Sequence, residues 1–363
     1  MILTYTLSFY CQDWISVNLR MAGKPKVLVN KVSEDEKTLL EPYFTIISLQ
    51  NLIDNEENPD DIEGIIISKY FSTNPVFRDD LLPRMRSLKV VTPIGIGIYS
   101  FEHLMDYFKE HSVVVALNRG ENEMCKAVAD FAIGLFLSCC RKIASGRSYM
   151  KTSTATTLTG WLPYKNSLVQ KTTKFTGATI GIIGLGHIGY EVAKRAHHGF
   201  DMRVVYYGRT RKSSEVERSL GCDESSYHGD LKSMLPVCDF VAVCCASNSQ
   251  TRNLLGREEF VLMKKNSVIV NIARGDIIDT EALTNALRGD RQEEWGAISG
   301  AGLDVTDPEP LPLDHELREM ENVVLTPHIA WSLQEVKQEL LQSRCQNLMD
   351  VLIHGKPPAS QSM

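Results

Sequence analysis

The feature that most constrains the fold is a glycine-rich turn between an apolar strand pattern and a helical pattern. Residues 179–189 read TIGIIGLGHIG, so that Gly184, Gly186 and Gly189 give the spacing G-x-G-x-x-G. In such a unit the first glycine permits a tight turn, the second lets the main chain approach a pyrophosphate, and the third lets the helix pack closely on the strand. Free N–H groups at the start of the helix then face the anion. The sequence predicts a dinucleotide-binding unit; glycines that only punctuate a turn are the less favoured alternative.

The residues after the next strand pattern indicate which dinucleotide binds. No acidic residue follows residues 202–207, where an NAD-binding chain normally places one for the ribose 2′-hydroxyl. Instead the chain carries Arg209, Thr210 and Arg211, and Arg209 lies 20 residues after Gly189. Guanidinium groups pair with phosphate oxygens through two parallel hydrogen bonds. These residues therefore predict NADPH in preference to NADH, with a solvated basic turn as the alternative interpretation.

Composition limits the partners that the chain attracts. Its 363 residues carry a formal net charge of −6, which gives no general attraction to nucleic acid or to an anionic membrane. No segment reaches the roughly 18 continuous apolar residues that a membrane span needs. The nine cysteines show no C-x-x-C or Cys/His ligand spacing, so we expect free thiols in a reducing compartment, the cytoplasm, and no metal site.

Short apolar runs alternate with helical patterns in two series, one before residue 116 and one after residue 178. Such alternation predicts parallel sheets with helices on both faces. We expect an α/β protein of two doubly wound domains, in which a Rossmann cofactor domain is inserted into a flavodoxin-like substrate domain. The predicted substrate domain covers residues 21–122 and is completed by residues 333–363, and the predicted cofactor domain covers residues 123–332.

Three other segments complete this organisation. Residues 1–20 lack the basic start and the cleavage site of a signal peptide and are interpreted as an extension outside the fold. Apolar residues at helical spacing predict helices over residues 125–141 and 333–353. Residues 146–176, rich in Ser, Thr and Lys, are expected to be an irregular connection.

Three motifs follow the glycine turn, each at the end of a predicted strand. They contain Arg274 in residues 270–276, Glu309 in residues 302–310 and His328 in residues 326–331. A guanidinium at the carboxyl edge of such a sheet can hold a substrate carboxylate. A carboxylate beside an imidazole orients the ring and favours its protonated form, so that it can protonate a developing alkoxide. The ordered set predicts carbonyl reduction, whereas His328 alone would be better explained as a structural residue.

These motifs resemble the D-isomer-specific 2-hydroxyacid dehydrogenase family over about residues 26–355. The family's N-x-x-R-G segment is similar to residues 271–275, its G-L-D-V-x-x-x-E-P segment to residues 302–310, and its P-H-I segment to residues 327–329. The resemblance implies that Arg274 binds and polarises a 2-oxo acid, that Glu309 supports His328, and that His328 donates the proton.

The same resemblance implies further contacts. A glycine loop at residues 93–98 would receive the substrate carboxylate on main-chain N–H groups of Ile96 and Gly97, because amides around glycine form an anion-binding nest; a plain turn is the alternative. Asp304 would contact the nicotinamide carboxamide. The remaining expected cofactor contacts are His187, Ile188, Ala246, Ile272, His328 and Ala330.

Within the family, residues 208–211 and 302–312 are most similar to glyoxylate and hydroxypyruvate reductases. Tyr99 stands where many relatives carry aspartate, which leaves the choice of 2-oxo acid open. Two alternatives remain. One is a cofactor-sensing, corepressor-like interaction protein on the same scaffold, with which Trp331 is compatible. The other is a phosphoglycerate dehydrogenase, which would usually carry extra cations near the substrate and a regulatory C-terminal domain. Relatives pair through their cofactor domains, so a homodimer through residues 125–170 is expected.

Overall fold

The computed structural model describes residues 23–30, 34–95, 99–118, 123–169, 171–289 and 292–358. The described residues fall into two compact units, one within Met1–Gly120 and Leu333–Met363 and the other within Glu121–Ser332. The predicted extension at residues 1–20 and the residues Ile96 and Gly97 lie outside the described residues.

The first unit is built on a parallel five-stranded sheet with the strand order β2-β1-β3-β4-β5. This order is that of a flavodoxin-like sheet. The strands are β1 (Lys26–Val29), β2 (Thr45–Ser48), β3 (Ile62–Ile67), β4 (Val90–Pro93) and β5 (Val114–Val115). The α-helices of this unit are Glu34–Leu40, Leu49–Ile53, Lys69–Thr73, Met105–Glu110 and Gln334–Leu352, and the segments of other helix types are Pro59–Asp61, Val76–Leu81, Leu82–Arg84 and Tyr99–Leu104.

Alternating strand residues send apolar side chains to both faces of this sheet. On one face Leu28 and Ile65 pack with Phe71 and Phe108, all fully buried. On the other face Val27, Ile66 and Val90 pack with Leu348 and Met349 of the helix Gln334–Leu352. The last described helix of the chain therefore completes the core that the first strands begin.

The second unit is built on a parallel seven-stranded sheet with the strand order β12-β11-β10-β9-β6-β7-β8. The chain order therefore reverses between β6 and β9, as in a Rossmann fold. The strands are β6 (Thr179–Ile183), β7 (Arg203–Tyr207), β8 (Tyr227–His228), β9 (Phe240–Val243), β10 (Val268–Asn271), β11 (Gly300–Leu303) and β12 (Val323–Leu325).

Helices cover both faces of the second sheet. The α-helices are Glu123–Cys140, Ile143–Thr152, Leu158–Val169, His187–Phe200, Ser214–Ser219, Leu231–Met234, Arg257–Leu262, Thr280–Arg288 and Gln292–Trp295, and the short 3-10 turns are Leu235–Val237, Gly275–Ile277 and Glu316–Arg318. Within the described residues no helix combines the length and apolar character that crossing a membrane requires.

The prediction of two parallel-sheet α/β domains is confirmed by these sheets. The prediction of an irregular connection over residues 146–176 is wrong, because helices occupy Ile143–Thr152 and Leu158–Val169. Part of the Ser/Thr content caps a helix instead of marking a loop: the Thr157 hydroxyl accepts a hydrogen bond from the Gly160 N–H at 3.2 Å. The two-residue strand β8 was not predicted, since two residues are too few to show a period.

Candidate cofactor and active site

The glycine turn has the geometry that its sequence predicts. Gly184 follows β6 with φ +93°, and a Cβ atom there would lie 2.7 Å from the Cα atom of Cys245. A Cβ atom on Gly189 would lie 2.2 Å from the carbonyl oxygen of Gly184. Both positions therefore require glycine, the first for its backbone conformation and its close neighbour, the second for the contact of helix and strand.

The helix N-terminus beyond the turn is open. Gly186 is the N-cap of the helix His187–Phe200 and, as a glycine, has no side chain that could cover the helix N-terminus. A Cβ atom on Gly186 would meet nothing within 4 Å, so the main chain there can be approached closely. His187 is exposed and Ile188 half-buried in the first helical turn. The N–H groups of the first helical turn and the helix dipole fit the pyrophosphate of a dinucleotide.

The basic residues after β7 differ from one another in their surroundings. Arg209, Thr210 and Arg211 are all exposed. The Arg211 guanidinium donates two hydrogen bonds to the carboxylate of Glu217, at 2.9 and 3.0 Å. Arg209, in contrast, has no ion pair or side-chain hydrogen bond with the part of the chain that the structure describes. Glu217 was missed by sequence reasoning, because nothing in its spacing marks it as a neighbour of the basic turn.

The sheet brings the three later motifs to one edge. The strands β10, β11 and β12 are neighbours and parallel, so their carboxyl ends lie side by side. Arg274 follows β10, Asp304 follows β11 and His328 follows β12. The carboxyl edge of such a sheet is where ligands bind in doubly wound folds.

Hydrogen bonds from the Asn271 side chain stabilise the turn that contains Arg274. The Asn271 side chain donates to the Arg274 carbonyl at 2.8 Å and accepts from the Ala273 N–H at 3.0 Å. The guanidinium itself donates to the Ala273 carbonyl at 2.6 Å. A Cβ atom on Gly275 would lie 2.1 Å from the carbonyl carbon and oxygen of Thr306. The Arg274 turn is therefore in direct contact with the segment that leads from β11 to Glu309.

The turn that carries His328 is anchored on Asp304, whose residue surface is 1% exposed. One Asp304 carboxylate oxygen accepts from the Thr326 hydroxyl at 2.7 Å and the Ile329 N–H at 2.9 Å, and the other accepts from the Ala330 N–H at 2.9 Å. The Asp304 carbonyl also accepts from the His328 N–H at 2.9 Å. His328 has φ +55°, in the left-handed region that few non-glycine residues adopt. Asp304 thus fixes the backbone from which the imidazole projects.

The side chains of His328 and Glu309 are in direct contact. Their Nδ1 and Oε1 atoms are 2.8 Å apart. A carboxylate only accepts hydrogen bonds, so Nδ1 carries the proton of this bond. Nε2 is therefore the atom that can give or take a proton at a substrate.

The other predicted cofactor contacts follow the strands β9, β10 and β12. Ile272 directly follows β10 and is 6% exposed, and Ala330 is also 6% exposed. Ala246 is exposed after β9, and its carbonyl accepts from the Thr251 hydroxyl at 2.7 Å.

Sequence reasoning missed Asp276, which is buried and accepts from the Ser247 hydroxyl at 2.9 Å, so that it ties the loop after β9 to the Arg274 turn. No set of three or more potential metal ligands occurs among the residues described.

Comparisons with known proteins show which family the chain resembles in sequence. Residues 133–330 match the family model described as "D-isomer specific 2-hydroxyacid dehydrogenase, NAD binding domain". Glyoxylate/hydroxypyruvate reductase B of Pectobacterium carotovorum subsp. carotovorum is 30% identical over 334 residues, which cover 91% of this chain and 95% of that protein. A glyoxylate reductase of Thermofilum pendens is 34% identical over 273 residues, which cover 75% of this chain and 74% of that protein.

A similar fold is found in a solved structure. The holo form of D-mandelate dehydrogenase from Rhodotorula graminis matches with a TM-score of 0.79 at 27% identity, covering 93% of this chain and 97% of that one. The family match spans more than half of the chain and includes the glycine turn, Arg274, Glu309 and His328. This chain therefore belongs to the D-isomer-specific 2-hydroxyacid dehydrogenase family and is an NAD(P)-dependent oxidoreductase.

Proposed function

We propose that the protein reduces a small 2-oxo acid, glyoxylate or hydroxypyruvate, to the D-2-hydroxy acid with NADPH. The names of its relatives, glyoxylate reductase and glyoxylate/hydroxypyruvate reductase B, support this substrate class. The observation that carries the proposal is the His328–Glu309 pair, with Nδ1 and Oε1 2.8 Å apart, at the sheet edge that also carries Arg274.

The proposed proton path runs through His328. With Nδ1 bound to Glu309, a protonated imidazole keeps its Nε2–H for the substrate, and the Glu309 carboxylate lies beside the ring as its counter-charge. The reduced nicotinamide, when bound, supplies the hydride to the carbonyl carbon. The carbonyl oxygen then takes the proton from Nε2, and His328 is left neutral with its Nδ1–H still on Glu309.

Arg274 is proposed to hold the substrate. A guanidinium binds a carboxylate with two hydrogen bonds and polarises the adjacent carbonyl oxygen as negative charge develops on it. The predicted contacts Ile96 and Gly97 lie outside the described residues and stay a prediction.

The cofactor assignment rests on the basic turn and the strand ends. Arg209, Thr210 and Arg211 are exposed beyond β7 and would contact a ribose 2′-phosphate, which favours NADPH. We assign the pyrophosphate to the main chain of Gly186, His187 and Ile188, and the nicotinamide end to residues at the later strand ends, namely Ala246, Ile272, Asp304, His328 and Ala330.

We further propose a homodimer formed through the cofactor domain. The helices Ile143–Thr152 and Leu158–Val169 have no buried residues. They expose apolar side chains, among them Ile143 at 58%, Leu158 at 64% and Val169 at 73%. Apolar side chains gathered on one segment favour burial against another protein surface, and we assign a second copy of this chain as the partner that covers this segment.

The cytoplasmic location stays a proposal based on the cysteine content.

A panel of steady-state assays tests the activity. NADPH and NADH oxidation would be measured with glyoxylate, hydroxypyruvate, pyruvate and phosphohydroxypyruvate, and the chirality of the glycerate formed would be determined. We expect the highest kcat/KM for glyoxylate or hydroxypyruvate with NADPH and a D-product. Preference for phosphohydroxypyruvate would instead favour a phosphoglycerate dehydrogenase. No turnover of any 2-oxo acid, together with peptide binding, would favour a corepressor-like protein.

Replacing Arg209 with Asp tests the cofactor assignment. The carboxylate would repel a 2′-phosphate and accept hydrogen bonds from a free ribose, so the ratio of NADPH to NADH efficiency should fall by about tenfold or more. An unchanged ratio would show that the 2′-phosphate assignment is wrong.

A further inference from the structure

A buried carboxylate lies beside the predicted cofactor-selecting turn. The side chain of Glu217 is 8% exposed, although it belongs to the short surface helix Ser214–Ser219. It accepts hydrogen bonds from Arg211 Nε at 2.9 Å, from Arg211 Nη2 at 3.0 Å and from the Tyr206 hydroxyl at 2.6 Å. A buried carboxylate must find such partners, because its desolvation is otherwise costly.

Tyr206 connects this carboxylate to the main chain of the turn. Its side chain is fully buried on β7, and its hydroxyl accepts a hydrogen bond from the Lys212 N–H at 3.0 Å while it donates to Glu217. Burial, followed by the bond to Glu217, raises the pKa of Tyr206 to about 12. The hydrogen bond from Arg211, followed by that from Tyr206, lowers the pKa of Glu217. At neutral pH the hydroxyl is therefore a donor and the carboxylate is charged.

These contacts fasten the turn at both ends. We call residues 208–212 the selector loop. At its start the Tyr227 hydroxyl donates to the Gly208 carbonyl at 3.2 Å, and at its end Tyr206 holds the Lys212 N–H. Arg209 and Thr210 lie between these two points and are exposed.

The two arginines of the loop are then presented differently. Glu217 accepts from Nε and from one N–H of Nη2 of Arg211, which leaves the second Nη2 N–H and both Nη1 N–H donors on the outer edge of the planar guanidinium. Arg209 has a full set of donors, since it makes no ion pair or side-chain hydrogen bond with any described residue. The negative charge of Glu217 offsets the positive charge of Arg211. The pair therefore orients the selector loop and adds no net positive charge to it.

We propose that Tyr206 and Glu217 are positioning residues for cofactor selection, which hold the selector loop so that Arg209 and the outer edge of Arg211 receive a 2′-phosphate. This inference rests on the proposed use of NADPH. It assigns a role to the buried Tyr206–Glu217–Arg211 contacts, which the proton path does not involve.

Binding of two adenosine fragments tests the role without turnover. Isothermal titration calorimetry would measure the affinities of adenosine 2′,5′-bisphosphate and adenosine 5′-monophosphate for the wild type, Tyr206→Phe and Tyr207→Phe. Tyr206→Phe removes two hydrogen bonds and no charge, and should weaken the bisphosphate on the order of tenfold while the monophosphate changes by less than about twofold. Tyr207 is the matched control, because it is the next residue of β7 and its hydroxyl has no hydrogen-bond partner within the described ranges; both affinities should persist in Tyr207→Phe.

Glu217→Gln separates positioning from charge. Removing the carboxylate adds one unit of positive charge near the 2′ position, so attraction between charges alone would tighten bisphosphate binding. The positioning role requires weaker binding in this variant, with a raised KM for NADPH and an unchanged kcat. Circular dichroism and the thermal midpoint would verify that each variant is folded.

Three outcomes are distinguishable. A wild type that binds both fragments equally would overturn the NADPH proposal and this inference with it. If the wild type prefers the bisphosphate to the monophosphate and Tyr206→Phe shows the same preference, this inference alone would be overturned. Tighter bisphosphate binding by Glu217→Gln would also overturn it and would leave charge as the basis of selection.

Discussion

His328 and Glu309 come from segments that follow different strands, yet Nδ1 of the imidazole lies 2.8 Å from Oε1 of the carboxylate. The contact sets the tautomer of the ring, because only a protonated Nδ1 can bond to a carboxylate. It also leaves Nε2 as the single ring atom available for proton exchange with a substrate.

Replacing Glu309 with Gln would keep a hydrogen-bond acceptor beside Nδ1 and remove the negative charge. We expect kcat for glyoxylate reduction to fall by about 10²-fold, since the imidazolium loses its counter-charge. Stopped-flow and steady-state measurements with saturating NADPH would check this. Cofactor affinity, measured by fluorescence titration, should be unchanged, and an unaltered kcat would exclude the proposed support by Glu309.

Substitution of Arg274 tests the substrate contact. Arg274→Ala should abolish measurable turnover, whereas Arg274→Lys keeps the charge and loses the two-pronged geometry, with kcat/KM lowered by roughly 10²-fold. Both variants should bind NADPH like the wild type, because the guanidinium is assigned to the substrate. Normal kcat/KM in the alanine variant would contradict the mechanism.

Alanine substitutions at Gly275 and Gly199 are expected to change the free energy of unfolding in opposite directions. A Cβ atom there would lie 2.1 Å from the Thr306 carbonyl, a contact that no side chain can make without moving the main chain. Gly275→Ala should therefore cost about 1–3 kcal/mol or more in the free energy of unfolding. The control is Gly199→Ala, whose Cβ would meet nothing within 4 Å inside a helix, and which should stabilise by about 0.5–1 kcal/mol. Urea unfolding measures both; equal effects would refute the contact.

The buried thiols are expected to resist alkylation in the native protein. Burial raises the pKa of Cys139, Cys238 and Cys345 to about 12. A raised thiol pKa means that the reactive thiolate stays scarce until the pH approaches that value, so iodoacetamide should not label these residues in the native protein at pH 8. Mass spectrometry of tryptic peptides would follow the labelling. We expect labelling to follow unfolding by urea, and rapid labelling in the native state would contradict the buried placement.

The sequence predicted the parts of the fold that local chemistry determines. The apolar runs at residues 180–183, 240–243 and 300–303 are strands because buried parallel strands need continuous apolar side chains. Gly184 and Gly189 were identifiable from the G-x-G-x-x-G spacing, and in the structure a Cβ atom at either position would clash with neighbouring main chain. These positions carry their reason within a few neighbouring residues.

Other features depend on contacts that the sequence does not reveal. The helix Leu158–Val169 contains Pro163, which normally breaks a helix, so its composition indicated a loop. The pairing of Glu217 with Arg211 depends on how a short helix folds back on β7, and no spacing rule encodes that return. The expectation that Asp304 contacts the nicotinamide carboxamide stays a prediction. Its three side-chain hydrogen bonds to residues 326–330 were not predicted, because they are tertiary contacts between the ends of two strands.

The packing of Leu348 and Met349 against β1, β3 and β4 has a consequence for synthesis on the ribosome. The nucleotide-binding half is one uninterrupted stretch of chain and can fold as soon as it emerges. The amino-terminal sheet, in contrast, keeps one apolar face uncovered until the helix Gln334–Leu352 is translated. The half that is made first is therefore the half that finishes folding last, and it is the one that needs protection from aggregation in the meantime.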